Sequence, residues 1–255
     1  MTARPLALVT GGWRRIGAAI ARRLAHDGYD LALHAHRTSG FDAAFVDGLG
    51  AIGATVVPLA ADLADPAAVE ALIPAAIRAG GQVPRVLVNC ASLFHDDGAL
   101  TLDTATLAAH FQVNCHAPLV LTRALARALI EAGQKGAVVQ IIDQRVRNPV
   151  PDQISYTLSK QALHASVRTM ARALAPHVRI NAVAPGLTLP TDAYDAAQWR
   201  RLGDRMPLTR LSSPDDIADA VAFLIGAGAT TGETLFVDGG ANLEAFPRDF
   251  AHLEK

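Results

Sequence analysis

"LALVTGGWRRIGAAIARRL", Leu6 to Leu24, changes its hydrophobic period part-way along. Leu6 to Val9 form a short continuous apolar run, which reads as a strand buried on both faces. From Arg15 onward apolar residues recur at helical spacing, so a helix is expected over 15–28. The join, "TGGWRRIG" from Thr10 to Gly17, is a glycine-containing strand-to-helix turn. Glycines there let a phosphate approach the backbone, and the helix N-terminus supplies free N–H groups and positive potential. Thr10, Gly11, Arg15, Ile16 and Gly17 are therefore candidate nucleotide-binding residues.

The same alternation continues outward. Six more apolar runs follow: "DLALHAH" (30–36), "TVVPLAA" (55–61), "RVLVNCA" (85–91), "AVVQII" (137–142), "VRINAVA" (178–184) and "TLFVDG" (234–239). Helices are expected between them at 40–50, 66–79, 103–132, 153–175 and 214–226. Strands apolar on both faces, alternating with helices, make an α/β fold: a doubly wound sheet of seven mainly parallel strands with helices on both faces. One domain spanning 1–255 is expected, with the long connection at 188–207 as a substrate loop.

Composition narrows the function classes. A chain of 255 residues that is 51% hydrophobic can build one large core. Its formal net charge of -1 attracts neither nucleic acid nor an anionic membrane. Cys90 and Cys115 are too few for a disulfide framework, and the first apolar run is too short for a signal segment or a membrane span. A cytoplasmic protein is the expectation.

The second strand ends in "HAHRTS". Dinucleotide sites that take NAD commonly present an acid there to the ribose hydroxyls, whereas this chain offers His36, Arg37, Thr38 and Ser39. Arginine with hydroxyls suits a 2′-phosphate, so NADPH is the expected cofactor. His34 and His36 share a strand spacing but have no third ligand partner, and no metal is expected.

Tyr156 and Lys160 are four residues apart in a helical stretch and so lie on one face. A free phenol titrates at about 10. A neighbouring ammonium and a cationic nicotinamide are expected to lower that value and make the tyrosine an acid-base group. Asp143 stands thirteen residues before the tyrosine.

The order of these motifs resembles the short-chain dehydrogenase/reductase family over nearly the whole chain. To the glycine turn it adds "ADL" with Asp62 and Leu63, "NCAS" with Asn89, Ala91 and Ser92, Asn114 in the long helix, Tyr156 with Lys160, "PG" at Pro185 and Gly186 followed by Thr188, and the closing "TGETLFVDGG". The resemblance implies a Rossmann-type fold, a nicotinamide cofactor and a homotetramer. It also implies that Lys160 holds the nicotinamide ribose, that Asn114 anchors a water relay to it, and that Asp62 contacts the adenine.

Three departures from the usual family pattern look like the pteridine reductases. Arg15 stands where TGxxxGxG has its second glycine, "NCASLF" brings Ser92 and Phe94, and Asp143 replaces the usual serine. Such residues suit a flat, nitrogen-rich ring: Phe94 offers a stacking face, Arg15 and Ser92 offer polar edge contacts, and Asp143 offers an acceptor or donor beside ring nitrogens. The expectation is an NADPH-dependent reductase of dihydropterins or dihydrofolate. A ketone or 3-oxoacyl reductase of the same family and a non-catalytic NADP-binding sensor are the alternatives.

Overall fold

The computed structural model describes residues 4–191 and 194–254. All seven expected strands form: β1 Leu6–Thr10, β2 Asp30–Ala35, β3 Val56–Ala60, β4 Val86–Asn89, β5 Gly136–Ile141, β6 Val178–Pro185 and β7 Thr234–Val237. They make one sheet of order β3-β2-β1-β4-β5-β6-β7 in which every pairing is parallel. Strand order reverses between β1 and β4. In open α/β sheets such a reversal opens a crevice beyond the carboxyl ends of the strands.

Among the described residues eight α-helices accompany them: α1 Arg15–His26, α2 Ala43–Ala51, α3 Pro66–Gly80, α4 Thr104–Phe111, α5 Ala117–Glu131, α6 Ile154–Leu174, α7 Ala196–Arg205 and α8 Pro214–Gly226. One sheet face buries Leu72, Leu121, Leu125, Leu163 and Val167 from α3, α5 and α6. Ile20, Leu24, Leu49, Ile217 and Val221 from α1, α2 and α8 cover the other. Along β1, β2, β4, β5 and β6 nearly every residue is buried, which is why those strands read as unbroken apolar runs and not as alternating ones.

Two elements differ from their sequence reading. The single helix expected over 103–132 is two helices joined by a π segment, Gln112–His116. Hydrophobic periodicity does not register one widened turn, because the apolar stripe continues across it. The 188–207 connection contains α7, whose N-terminus is capped by Asp195 accepting from the Gln198 N–H. Residues 192 and 193 of the expected substrate loop lie outside the described residues. Leu202 and Met206, in and just after α7, pack with Val150, Phe246, Phe250 and Leu253 into a small third core. That core fastens the C-terminal segment beside the carboxyl end of β5, where Asp143 lies.

Candidate active site

The turn between β1 and α1 needs glycine at two places. Gly11 has φ 65, and a Cβ on Gly17 would lie 2.1 Å from the Gly11 carbonyl oxygen. Arg15, at the family's second glycine position, has φ 53. A left-handed residue bearing a side chain costs about 1–2 kcal/mol, so the turn carries strain at that arginine. No side chain caps the N-terminus of α1. Its first N–H groups are left for an outside acceptor.

His34 braces this turn from beneath. The Gly11 N–H donates to His34 Nδ1 at 3.3 Å, and Nε2 lies 2.9 Å from the Ala61 carbonyl. One nitrogen must accept and the other donate, which is the neutral ring, and burial lowers its pKa accordingly. Both nitrogens are thereby used within the fold. His36 is exposed and faces Asp62 at 3.4 Å.

A cleft of about 1390 Å³ opens over the strand ends. That exceeds the roughly 300–1,000 Å³ of a typical small-ligand site and leaves room for a dinucleotide with a second molecule. Gly11, Arg15, Ile16 and Gly17 line one end together with His36, Arg37, Ser39, Asp62 and Leu63. Ala91, Ser92 and Phe94 line the middle, and Asp143, Tyr156, Lys160, Pro185, Gly186 and Thr188 the other end.

Four expected site residues stand behind the wall or outside it. Thr10 is buried, its Oγ accepting from the N–H groups of Cys90 at 3.0 Å and Ala91 at 3.1 Å, so it ties the glycine turn to the β4 loop. Asn89 donates to Gln140 Oε1 at 3.0 Å across β4 and β5. Thr38 opens a short 3-10 turn beside Arg37. Asn114, on the π segment, accepts from Leu93 N at 2.7 Å and donates to Leu93 O at 2.9 Å and Ser159 Oγ at 3.0 Å. It pins the strip carrying Ser92 and Phe94 to α6, next to Lys160.

Tyr156 is buried on the first turn of α6, and its hydroxyl donates to Asp143 Oδ2 at 2.9 Å. Phe94 is 52% exposed and meets the tyrosine ring edge-on at 4.8 Å, so it is a cleft residue and not a core one. Lys160 Nζ donates to the Ile141 carbonyl at 2.9 Å and lies 5.7 Å from the tyrosine ring centre. Burial lowers the lysine pKa to about 8 against the opposing pull of Asp143 and Cys90.

The phenol departs from its sequence reading. Burial first and Asp143 second hold Tyr156 well above the ordinary 10, and Arg145 is the cation that pulls it back. The carboxylate takes the hydroxyl's hydrogen bond and thereby stabilises the protonated form. Sequence reasoning also passed over Arg145, Gln153 and Asp249, all of which line the cleft. "DQR" directly after β5 offered a signal for the first; Asp249, in an irregular C-terminal segment, offered none. The "HDDG" loop, His95 to Gly98, finds its explanation at α6: Asp97 accepts from Ser155 N at 3.2 and 3.3 Å, capping the helix that presents Tyr156.

Comparison with known proteins finds relatives along nearly the whole chain. The family model for enoyl-(acyl carrier protein) reductase matches residues 12–242. The crystal structure of FolM alternative dihydrofolate reductase 1 from Brucella canis, complexed with NADP, is similar at a TM-score of 0.87 and 38% identity, covering 96% of this chain and 96% of that one. Dihydromonapterin reductase of Enterobacter sp. (strain 638) is 30% identical over 243 residues, 94% of this chain and 97% of its own length. L-Rhamnose 1-dehydrogenase (NAD(P)(+)) of Azotobacter vinelandii is 33% identical over 244 residues, 91% of this chain and 94% of its own. With a match from the glycine turn to the end of the sheet, the chain belongs to the short-chain dehydrogenase/reductase family.

Proposed function

We propose that this protein is an NADPH-dependent reductase of pterins, taking a dihydropterin or dihydrofolate to its tetrahydro form. The observation that carries the reading is the bond from the Tyr156 hydroxyl to Asp143. A ketone reductase needs a neutral donor at that place, because a carboxylate would repel a developing alkoxide. A pterin presents ring nitrogens that gain protons, and there an acid is an asset. Exposed Phe94 beside the pair gives a flat ring a face to stack on. The FolM and dihydromonapterin reductase relatives support the same substrate class.

The chain's own residues fit NADPH. Gly17 keeps the turn open where any Cβ would meet Gly11, the α1 N-terminus is free of a side-chain cap, and Arg37 stands exposed at the end of β2. Among the described residues Arg37 makes no ion pair, so its guanidinium is available to a 2′-phosphate. When bound, the cofactor supplies the hydride to a ring carbon.

The protein supplies the protons. Tyr156 holds its proton through the neutral range and stands to deliver it to the ring nitrogen beside that carbon. Lys160, fixed by the Ile141 carbonyl, sets positive charge behind the tyrosine and presents its remaining N–H donors to the ribose. Asp143 orients the ring and passes protons to a second nitrogen when a fully oxidised pterin enters. We read the enzyme as a cytoplasmic homotetramer, a state that light scattering on the purified protein tests.

A carbonyl reductase is the second reading, favoured by the rhamnose dehydrogenase relative. NADPH oxidation measured with dihydrobiopterin, dihydromonapterin, dihydroneopterin, dihydrofolate and several ketones separates the two. Turnover of the ketones with none of the pterins would reject the pterin reading.

A further inference from the structure

Arg145 lies two residues beyond Asp143 and is buried to 8% exposure, yet it lines the cleft. Its backbone N–H donates to Asp143 Oδ1 at 2.9 Å, and its Nε lies 3.8 Å from the same oxygen. Oδ1 is thus occupied, which leaves Oδ2 turned to the Tyr156 hydroxyl. The guanidinium carbon sits 5.6 Å over the Tyr156 ring and 5.9 Å over the Phe94 ring. Its remaining N–H groups bond Gln153 Oε1 at 2.9 Å and form an ion pair with Asp249.

Those partners bring two more segments to the same point. Gln153, just before α6, donates onward to Asp96 of the loop after Phe94 at 2.9 Å. Asp249 belongs to the C-terminal segment and is fixed there, its N–H donating to Asp152 at 2.7 Å and its Oδ1 accepting from Ala251 N at 2.9 Å. A buried ion pair is weak support for stability, because desolvation offsets most of the attraction. Placing such a pair under the reacting tyrosine calls for a role at the site.

We propose that Arg145 is a positioning residue of the active site: its guanidinium holds the Asp143 carboxylate under the Tyr156 hydroxyl, and Asp249 of the C-terminal segment holds the guanidinium. The inference rests on the reductase reading and extends it to a segment that carries no family motif. The charged and titratable groups facing Arg145 are Asp143, Tyr156, Asp249 and Tyr194, with Lys160 across the tyrosine and Asp96 beyond Gln153. Removing the cation leaves Asp143 and Asp249 without their shared counter-charge and unties the C-terminal segment from the carboxylate that faces Tyr156.

The test compares Arg145→Gln, Arg145→Lys and Asp249→Asn with wild type, on whichever substrate of the panel the wild type turns over fastest. Failure of the pterin reading then shows in the wild type alone. Arg145→Gln should lower kcat by roughly tenfold to a hundredfold with the NADPH dissociation constant unchanged. Arg145→Lys, which keeps the charge beside Asp143, should recover most of the lost kcat, a rescue that a merely structural role would not give. Asp249→Asn should lower kcat and speed tryptic cleavage after Arg248, a readout independent of turnover. Wild-type kcat in folded Arg145→Gln, or a kcat in Arg145→Lys no higher than in Arg145→Gln, would overturn the proposal. If that variant does not unfold cooperatively, wild-type kcat in Asp249→Asn overturns it.

Discussion

The Tyr156 hydroxyl donates to Asp143 at 2.9 Å while Lys160, one helical turn on, spends its observed bond on the Ile141 carbonyl. The two residues of the motif therefore have different electrostatic neighbours. Tyr156 is held protonated by burial and by the carboxylate, whereas Lys160 is brought to about 8.

The lysine should accordingly set the basic limb of the rate. Below about 8 it is charged and supports cofactor and tyrosine; as pH rises through that value the charge is lost and kcat/KM falls. The tyrosine, well above 10, does not contribute to that limb. A pH profile of kcat/KM flat to pH 10 would contradict the assignment.

Gly17→Ala should damage cofactor binding and stability together. Its Cβ would lie 2.1 Å from a backbone oxygen of the same turn, which must then open. Forcing an atom into such a space costs typically about 1–3 kcal/mol. Gly48→Ala in α2, where the added Cβ has nothing within 4 Å, is the control and should leave stability equal or higher. Thermal unfolding with and without NADPH reads both.

The fold was legible in the sequence because its signals are local. Seven apolar runs became seven strands, since both sheet faces are covered and no polar face interrupts them. The glycine turn, Phe94, Asp143, Tyr156 and Lys160 lie at the cleft for the same reason: each sits at a strand end or on the first turns of a helix. What escaped was long-range. Arg145 acquires its meaning from Asp249, 104 residues away, and no spacing encodes that meeting. The direction of the Tyr156 shift escaped likewise, because it depends on which carboxylate the hydroxyl faces and how deeply it is buried.

Arg37→Ala should separate the two nicotinamide cofactors. The side chain is exposed at the end of β2 and among the described residues is held by no carboxylate. Losing a charge-assisted contact to phosphate costs about 1.5–3 kcal/mol. The Michaelis constant for NADPH should rise roughly tenfold or more by that figure, with the constant for NADH nearly unchanged. Equal catalytic efficiency of the wild type with both cofactors would refute the assignment.

Asp143→Ser is the most discriminating substitution, because the structure shows what a serine can and cannot replace there. Asp143 caps the short turn after β5 by accepting from Arg145 N. A serine hydroxyl can accept that bond, so the backbone should stay in place. It cannot both accept from Arg145 N and offer Tyr156 a second, charged acceptor. Pterin reduction should therefore fall in Asp143→Ser, although the variant restores the residue usual in the family. Tyr156→Phe removes the proton donor itself and should abolish reduction while leaving NADPH binding nearly unchanged. Steady-state rates of wild type and both variants on one pterin and one activated ketone make the comparison. Loss of pterin turnover with ketone turnover kept or raised in Asp143→Ser supports the acid's chemical role. Undiminished pterin turnover in that variant would reduce Asp143 to a cap on the turn after β5.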